Sequence, residues 1–268
     1  DVGLYRDLMK LGIFEYVVSP LLPEIIGRAL KIMILGEEKE KGSSSRVGKI
    51  VAVAGTRGGV GSTFIAVNLA AILASEKFRR VVIVDLDLHY GTVSLYLDVK
   101  LIYGLRSALE DPDRVDQVFL ERLLIPVNEH LQALTSEEPL DEPLKYRVEG
   151  IENLLKYLSK LFHYVIVDIP HYSDDSTLAV LEHAKILVLV TDPSLAGLRD
   201  SGRLLRLYGE EGVDHRVVFV MNKCGAFRKG EVNVSEYEDV LKRKVIHTIP
   251  YDSLIPMENI NQGKTLAG

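Results

Sequence analysis

The 268-residue chain has one cysteine, Cys224, no tryptophan, and no apolar run near the roughly 18 residues that cross a bilayer. A single cysteine excludes an internal disulfide framework, so we expect a protein of the reducing cytoplasm. Residues 1–10 lack the basic start and the long apolar stretch of a signal peptide. There is no excess of basic residues either. The 38 acidic and 32 basic side chains give a formal charge of -6, which disfavours a protein that coats nucleic acid by bulk charge.

Hydrophobic residues make up 47% of the chain and charged residues 26%, which is typical of a globular protein with a sizeable core. Residues 37–48 are charged and then rich in serine and glycine, so we expect a flexible linker there. This linker would separate a short helix–strand–helix piece, residues 1–36, from one large domain, residues 49–268. The front piece is too small to hold a core of its own and must pack on other protein surface.

Short apolar runs alternate with helical patterns through the large domain. Continuous runs rich in valine and isoleucine are typical of parallel strands that are covered on both faces. The alternation predicts an α/β fold with a doubly wound, mostly parallel sheet of about seven or eight strands and helices on both faces. The predicted strands are residues 50–54, 81–86, 131–134, 164–169, 186–191, 217–221 and 245–249. The predicted helices are residues 63–74, 151–161, 177–183, 194–208 and 235–243.

A glycine-rich loop with the sequence G-T-R-G-G-V-G-S-T, residues 55–63, joins the first predicted strand to the first predicted helix. Three glycines in four residues allow successive backbone amides to face an anion, and the start of the helix adds unpaired amides. We therefore predict a phosphate-binding loop rather than a turn without a ligand. The residues predicted to bind the cofactor here are Arg57, Gly58, Gly59, Val60, Gly61, Ser62, Thr63 and Phe64.

The loop departs from the usual pattern G-x-x-x-x-G-K-[ST] at two positions. Thr56 stands in place of the first glycine, and Ser62 stands in place of the lysine that contacts the β- and γ-phosphates. A hydrogen bond to a charged group is worth about 1.5–3 kcal/mol, so affinity and catalysis should fall unless another cation compensates. We expect Arg57 to compensate, within its own subunit or across a dimer interface, because its guanidinium suits phosphate oxygens.

Acidic residues stand at the ends of two other predicted strands. Asp85 and Asp87 follow one apolar run, where alternation places them on the same side, and Asp168 lies at the end of another. In isolation, solvated aspartates or a turn cap would be the simpler interpretation. Next to a phosphate-binding loop, we predict that they act on Mg²⁺ and on water.

The run R-G-G-V-G-S-T, residues 57–63, resembles the deviant Walker A motif of the MinD/ParA ATPases. That family has a signature lysine at the position of Arg57 and a second lysine at the position of Ser62. A small residue at the second position is similar to the CpaE/TadZ branch, the ATPase-like proteins of type IV (Flp/Tad) pilus assembly. The run D-L-H-Y-G-T, residues 87–92, is also similar to that branch. The resemblance covers about residues 49–268.

The resemblance implies that ATP and Mg²⁺ are cofactors. It assigns Thr63, Asp85 and Asp168 to the metal region, and it assigns Asp87 to catalysis as the residue that assists hydrolysis. Mg²⁺ usually keeps several of its waters, so Asp168 would hold the ion through water.

The resemblance also implies a site for the base near the end of the chain. Asn222 would read the edge of adenine, since its side chain carries both a donor and an acceptor. The loop Pro250-Tyr251-Asp252 would flank the base. Lys223, next to Asn222, is expected to be a solvated lysine.

Residues 11–20 and the amphipathic pattern after them look like the last third of a response-regulator receiver domain. Receivers carry a lysine before the proline, where this chain has Ser19. The phosphoacceptor aspartate would lie upstream, so this piece alone cannot carry out aspartyl phosphotransfer. An atypical receiver fused to a MinD-like domain is the CpaE/TadZ arrangement, and it therefore adds to the resemblance.

Together these features predict an ATP-binding, MinD-like localisation and assembly factor of Flp/Tad pilus biogenesis, with weak or absent hydrolysis. We expect a homodimer that binds pilus-assembly proteins, with no membrane span of its own. We also expect it to be cytoplasmic and recruited by partners to the inner membrane or a cell pole. The chain ends at Gly268 before any basic amphipathic helix of the MinD kind, so lipid binding by that route is not expected.

Two alternatives stay open. The first is a ParA-like partitioning ATPase that binds DNA non-specifically. Its surface would need positive charge, and the compact basic cluster in the sequence is the run K-R-K, residues 242–244. The second is a scaffold that binds no nucleotide, for which Ser62 is the best argument and the retained acidic residues are the counter-argument.

Overall fold

The computed structural model describes residues 47–75, 79–114, 116–171, 175–208, 216–227, 229–245 and 247–267. The predicted front piece, residues 1–36, and most of the predicted linker lie outside these ranges. Within the linker, the described Gly48 donates its amide to the Ser159 carbonyl at 2.6 Å. Gly48 therefore lies against the large domain just before its first strand.

Eight strands and nine α-helices make up the described part of the chain. The strands are β1 (Lys49–Gly55), β2 (Val81–Asp85), β3 (Ile125–Pro126), β4 (Leu131–Leu134), β5 (Tyr164–Ile169), β6 (Ile186–Thr191), β7 (Arg216–Cys224) and β8 (His247–Pro250). The helices are α1 (Ser62–Ser75), α2 (Val93–Tyr96), α3 (Leu105–Glu110), α4 (Gln117–Leu123), α5 (Val148–Leu161), α6 (Asp175–His183), α7 (Leu195–Tyr208), α8 (Val234–Leu241) and α9 (Ile255–Gln262). A 3-10 turn, Pro112–Arg114, lies between α3 and α4.

The strands form one sheet in the order β3-β4-β2-β5-β1-β6-β7-β8. All neighbouring pairs are parallel except β3 and β4, which are antiparallel. Because β1 pairs with β5 on one side and with β6 on the other, its end lies in the middle of the sheet edge. The predicted doubly wound, mostly parallel α/β fold is confirmed.

Side chains of each central strand alternate between two cores, one on each face of the sheet. Val51 and Val53 of β1 face one core, while Ile50, Ala52 and Ala54 face the other. Helix α1 is buried along most of its length in the first core and carries no charged residue. No described helix is long and apolar enough to cross a membrane.

The elements that the sequence did not predict are short. β3 has two residues and α2 has four, which is too few for hydrophobic periodicity to show. Asp116 caps the start of helix α4, and its Oδ1 accepts the Phe119 amide at 2.7 Å. Asp252 Oδ1 accepts the amides of Leu254 and Ile255 at the start of α9. Local caps and tertiary packing, rather than pattern, define these helices.

His247 at the start of β8 generates a prediction about acid stability. It is 6% exposed, and burial lowers its pKa to about 4 from a usual value of 6.5. The folded state therefore favours the neutral ring, and this contribution is complete above pH 6.5 and lost as the pH falls toward 4. We expect the free energy of unfolding to lose up to about 3 kcal/mol from this residue over that window.

Urea denaturation at pH 7, 5.5 and 4.5 tests the prediction on the wild type and on His247→Gln, which does not titrate there. The difference in unfolding free energy between the two proteins should shrink as the pH falls. A difference that stays constant across the three pH values would contradict the assignment.

Candidate functional site

The glycine loop, residues 55–63, lies at the centre of the sheet edge, where the carboxyl ends of the parallel strands meet. The Thr56 amide donates to the Val190 carbonyl of β6 at 2.8 Å, so a hydrogen bond to the sheet fixes the start of the loop. Gly59 and Gly61 have φ values of 80° and 93°, in the region that favours glycine. A Cβ at Gly61 would lie 2.6 Å from Asn222 Nδ2, so only glycine allows this close approach.

A cavity of about 300 Å³ opens at the start of α1. It brings together the loop, the end of β7 and the segment after β8, as expected for ligand sites of such sheets. Its lining residues are Gly59, Gly61, Ser62, Thr63, Phe64, Tyr96, Asn222, Lys223, Ile249, Pro250, Asp252 and Pro256. Of the other predicted cofactor residues, Val60 is buried beneath the loop and Gly58 is exposed on it.

Asp85 and Asp168 are buried side by side next to this loop. Their Cα atoms are register partners on β2 and β5, and the residues are 0% and 5% exposed. Burial raises the pKa of Asp85 to about 7, although hydrogen bonds from the amides of Asp87 and Val93 oppose the shift. Burial and then the neighbouring Asp85 raise the pKa of Asp168 well above its usual range, and a hydrogen bond with Thr63 opposes this.

The two carboxylates and Thr63 fit a hard divalent cation. Asp168 Oδ1 is buried and has no hydrogen-bond partner among the described residues. An unpaired buried carboxylate oxygen is costly, and a cation in contact with it would remove the cost. Mg²⁺ prefers oxygen ligands and is commonly bound by one or two carboxylates together with waters. Asp85, Asp168 and the Thr63 hydroxyl provide such ligands.

Asp87 lies on the turn that follows β2, because the strand ends at Asp85 rather than one residue later. The Asp87 amide donates to Asp85 Oδ1 at 3.0 Å, and Asp87 Oδ1 accepts the Tyr90 amide at 3.0 Å. The half-buried Asp87 carboxylate thus closes the turn. The turn places the negative charge of Asp87 close to the buried pair of Asp85 and Asp168.

Arg57, which was expected to compensate for Ser62, forms an ion pair outside the cavity in this structure. Its Nη2 lies 2.6 Å from Oδ2 of Asp192, which follows β6. The ion pair borders a second cavity of about 840 Å³, which is also lined by Ser194, Phe227 and Tyr251. Arg57 is therefore paired with a carboxylate and does not line the cavity beside Ser62.

Lys223, which was expected to be a solvated lysine, makes an exposed contact with the glycine loop. Lys223 is half-buried, and its Nζ donates to the Gly59 carbonyl at 2.6 Å. Asn222 Nδ2 donates to the Val60 carbonyl at 2.8 Å, so both side chains hold the loop. Regular alternation would point consecutive residues to opposite sides. The pairing of β7 with β8 is irregular between Met221 and Cys224, and Lys223 has a φ of 61°.

The apolar side of the cavity contains residues that the sequence analysis missed. Tyr96 of α2 packs near Phe64 with ring centroids 6.1 Å apart, and Pro256 of α9 lies on the same wall. Both belong to helices that were not predicted. Of the predicted base loop, Pro250 and Asp252 line this cavity, while Tyr251 lines the second one.

The buried pair predicts that Asp168→Asn stabilises the protein in the absence of metal. The substitution keeps the shape of the side chain but removes one of two buried like charges. In EDTA at pH 8, we expect the midpoint of thermal unfolding to rise by roughly 2–4 °C, which corresponds to about 1 kcal/mol. Any stabilisation that Mg²⁺ gives the wild type should disappear.

Differential scanning calorimetry of wild type, Asp168→Asn and the exposed control Asp239→Asn measures both effects. The control should leave the midpoint within experimental error. A lower midpoint of Asp168→Asn in EDTA would show that Asp168 already has a satisfactory partner without a cation.

Comparison with known proteins places the chain in a family. The family model described as ParA, NUBPL iron-transfer P-loop NTPase, matches residues 46–255. Septum site-determining protein MinD of Escherichia coli (strain K12) is 23% identical over 229 residues, which cover 81% of this chain and 83% of MinD.

Two solved structures have the same fold. The ParA family ATPase from Chlorobium tepidum TLS aligns with a TM-score of 0.75 and 27% identity, over 83% of this chain and 91% of that one. The MinD complexed with Mg-ADP from Pyrococcus horikoshii OT3 aligns with a TM-score of 0.70 and 21% identity, over 82% and 87%. The family-level resemblance is confirmed, and the chain belongs to the MinD/ParA family of P-loop NTPases.

Proposed function

We propose that this chain binds ATP with Mg²⁺ at the glycine loop and hydrolyses it slowly or not at all. The observation that carries the proposal is the buried Asp85–Asp168 pair beside Thr63, with one carboxylate oxygen left without a partner in the described part of the chain. A cost of this kind is expected where a cation binds. The pair counts against a scaffold that binds no nucleotide, because such a protein would leave the cost of the two buried carboxylates uncompensated.

Each part of the site would contribute differently to binding. Backbone amides of the loop and of the first turn of α1 would hold the phosphates. Thr63, Asp85 and Asp168 would hold Mg²⁺ directly or through its waters, and the bound ion would neutralise phosphate charge. Phe64 and Tyr96 offer an apolar wall that suits a base.

The same site is poorly equipped for hydrolysis. We interpret the loop as a deviant Walker A motif in which the neutral hydroxyl of Ser62 replaces a lysine. Amides and a metal ion can support binding of the ground state, whereas phosphoryl transfer also needs positive charge in the transition state. Asp87 would orient the attacking water, but its Oδ1 is already bonded to the Tyr90 amide. Binding should therefore survive better than turnover.

We further propose that nucleotide controls homodimerisation of the chain. The second cavity carries an ion pair, Arg57 with Asp192, and an exposed aromatic residue, Phe227, at its margin. Exposed aromatic and arginine side chains are enriched in protein interfaces. In a dimer, Arg57 would exchange Asp192 for the phosphates of the partner's nucleotide.

The proposed process is Flp/Tad pilus assembly, in which the dimer would recruit assembly proteins in the cytoplasm, at the inner membrane or at a cell pole. Ser62 and the run D-L-H-Y-G-T, residues 87–92, support the CpaE/TadZ branch, and residues 1–36 would be the end of a receiver domain. The basic cluster of residues 242–244 gives little support to DNA binding, because Lys244 Nζ is 2.7 Å from Glu238 Oε2.

Calorimetric titration with ATP and Mg²⁺, paired with a phosphate-release assay, tests nucleotide binding and turnover together. We expect saturable binding and a turnover number far below the roughly 1 s⁻¹ that starts the range of ordinary kinases. Ser62→Lys should raise the rate at least about 10-fold by restoring charge in the transition state. Ser235→Lys, which adds the same charge on the exposed start of α8, should change nothing. Absence of heat with the wild type would refute the proposal.

Sedimentation velocity with and without a non-hydrolysable ATP analogue tests the role of Arg57. Arg57→Ala should weaken ATP-dependent dimerisation about 10-fold or more, because a bridging cation is lost. Arg203→Ala, an exposed arginine of α7 paired with Asp200, is the matched control and should dimerise like the wild type. Equal dimerisation of the Arg57 variant would exclude the bridging role.

A further inference from the structure

The glycine loop has two positions, 57 and 62, at which the motif that it resembles carries a lysine. Neither position places a positive charge in the cavity of this structure. Ser62 is neutral, and its Oγ lies 3.1 Å from the point that a Cβ on Gly55 would occupy, so the side chain lies near the end of β1. Arg57 is held by Asp192 at 2.6 Å outside the cavity. A triphosphate carries about four negative charges, so its binding requires positive charge from another element.

Lys223 meets this need. It is the one lysine or arginine among the described residues that line the 300 Å³ cavity. We propose that Lys223 supplies the positive charge that the loop lacks at position 62, reaching the phosphates from β7 rather than from α1. The inference rests on the proposed function of the loop as a nucleotide site.

The contacts of Lys223 leave its charge available. An ammonium has three donors, and one of them is directed to the Gly59 carbonyl at 2.6 Å. That acceptor is neutral, and the described part of the chain gives Lys223 no carboxylate within ion-pair distance. Two acidic residues border the second cavity with it: Asp192 is paired with Arg57, and Glu231 accepts the amides of Gly225 and Phe227. Two donors of the ammonium remain for an anion bound at the glycine loop.

The backbone of Lys223 is held in a conformation that lysine does not favour. Its φ of 61° lies in the left-handed region, which is uncommon for a residue with a Cβ. Such strain persists where the surroundings impose it, and it clusters at functional positions. Here it accompanies the irregular pairing of β7 with β8, which lets Asn222 and Lys223 both reach the loop.

A charge-based role predicts that affinity depends on the number of phosphates. An ammonium that meets the β- and γ-phosphates would matter most for ATP, less for ADP and least for AMP. An ammonium that only braces Gly59 would act through the loop amides, and a neutral donor in its place, as in Lys223→Gln, would keep the affinity for ATP. The affinity of Lys223→Gln for the ATP analogue therefore separates the two roles.

The experiment compares Lys223→Met, Lys223→Arg and the control Lys156→Met, an exposed lysine of α5, by titration with a non-hydrolysable ATP analogue, ADP and AMP in the presence of Mg²⁺. Lys223→Met should weaken binding of the ATP analogue about 10- to 100-fold and that of AMP less than about 3-fold. Lys223→Arg should keep most of the affinity, and Lys156→Met should match the wild type. Lys223→Gln, which removes the charge but can still donate to the Gly59 carbonyl, should lose affinity for the ATP analogue as Lys223→Met does, and retention of that affinity would overturn the inference.

Rescue by a second substitution completes the test. Ser62→Lys should restore much of the affinity for the ATP analogue in the Lys223→Met background, and the two effects should be non-additive. Equal losses for all three nucleotides, an unchanged affinity of Lys223→Met, or no rescue by Ser62→Lys would each overturn the inference. A wild type that binds no ATP would instead overturn the proposed function itself.

Discussion

Two carboxylates buried side by side, Asp85 and Asp168, are the constraint on which the site depends. The strand order places β2 next to β5, and the register aligns Asp85 with Asp168. The sheet therefore holds the backbones of the two residues side by side. Burial raises both pKa values, with repulsion from Asp87 adding to the shift of Asp85 and repulsion from Asp85 adding to the shift of Asp168. An unpartnered Asp168 oxygen remains in the described part of the chain. Thr63 links the pair to α1. A cation bound there would stabilise the sheet edge and the helix start together.

The glycine loop is fixed by groups from three elements, which ties the site to distant parts of the chain. β6 accepts the Thr56 amide, α1 continues from Gly61 through a bond from the Ile65 amide, and β7 supplies two side chains that bond loop carbonyls. Arg57 of the loop also forms an ion pair with Asp192, which follows β6. A phosphate bound in the loop would compete with Asp192 for Arg57.

How much the sequence could predict follows from how local each cause is. Strands such as Tyr164–Ile169 and Ile186–Thr191 were predicted with their bounds, because a continuous apolar run between turns is a local signal. The loop glycines and the strand-end carboxylates were found in the same way. The partners of Arg57 and Lys223 were not, since each lies more than 130 residues away and depends on packing or on an irregular strand pair.

The move of positive charge from position 62 to Lys223 would change what the site responds to. A lysine at position 62 is fixed by α1, which is buried along its length and has little freedom. The position of Lys223 instead depends on the irregular pairing of β7 with β8. It also depends on the turn that follows, in which Glu231 accepts the Gly225 amide. That turn also carries the exposed Phe227 at the second cavity. Contacts made at Phe227 would therefore bear on Lys223 through the turn that Glu231 closes.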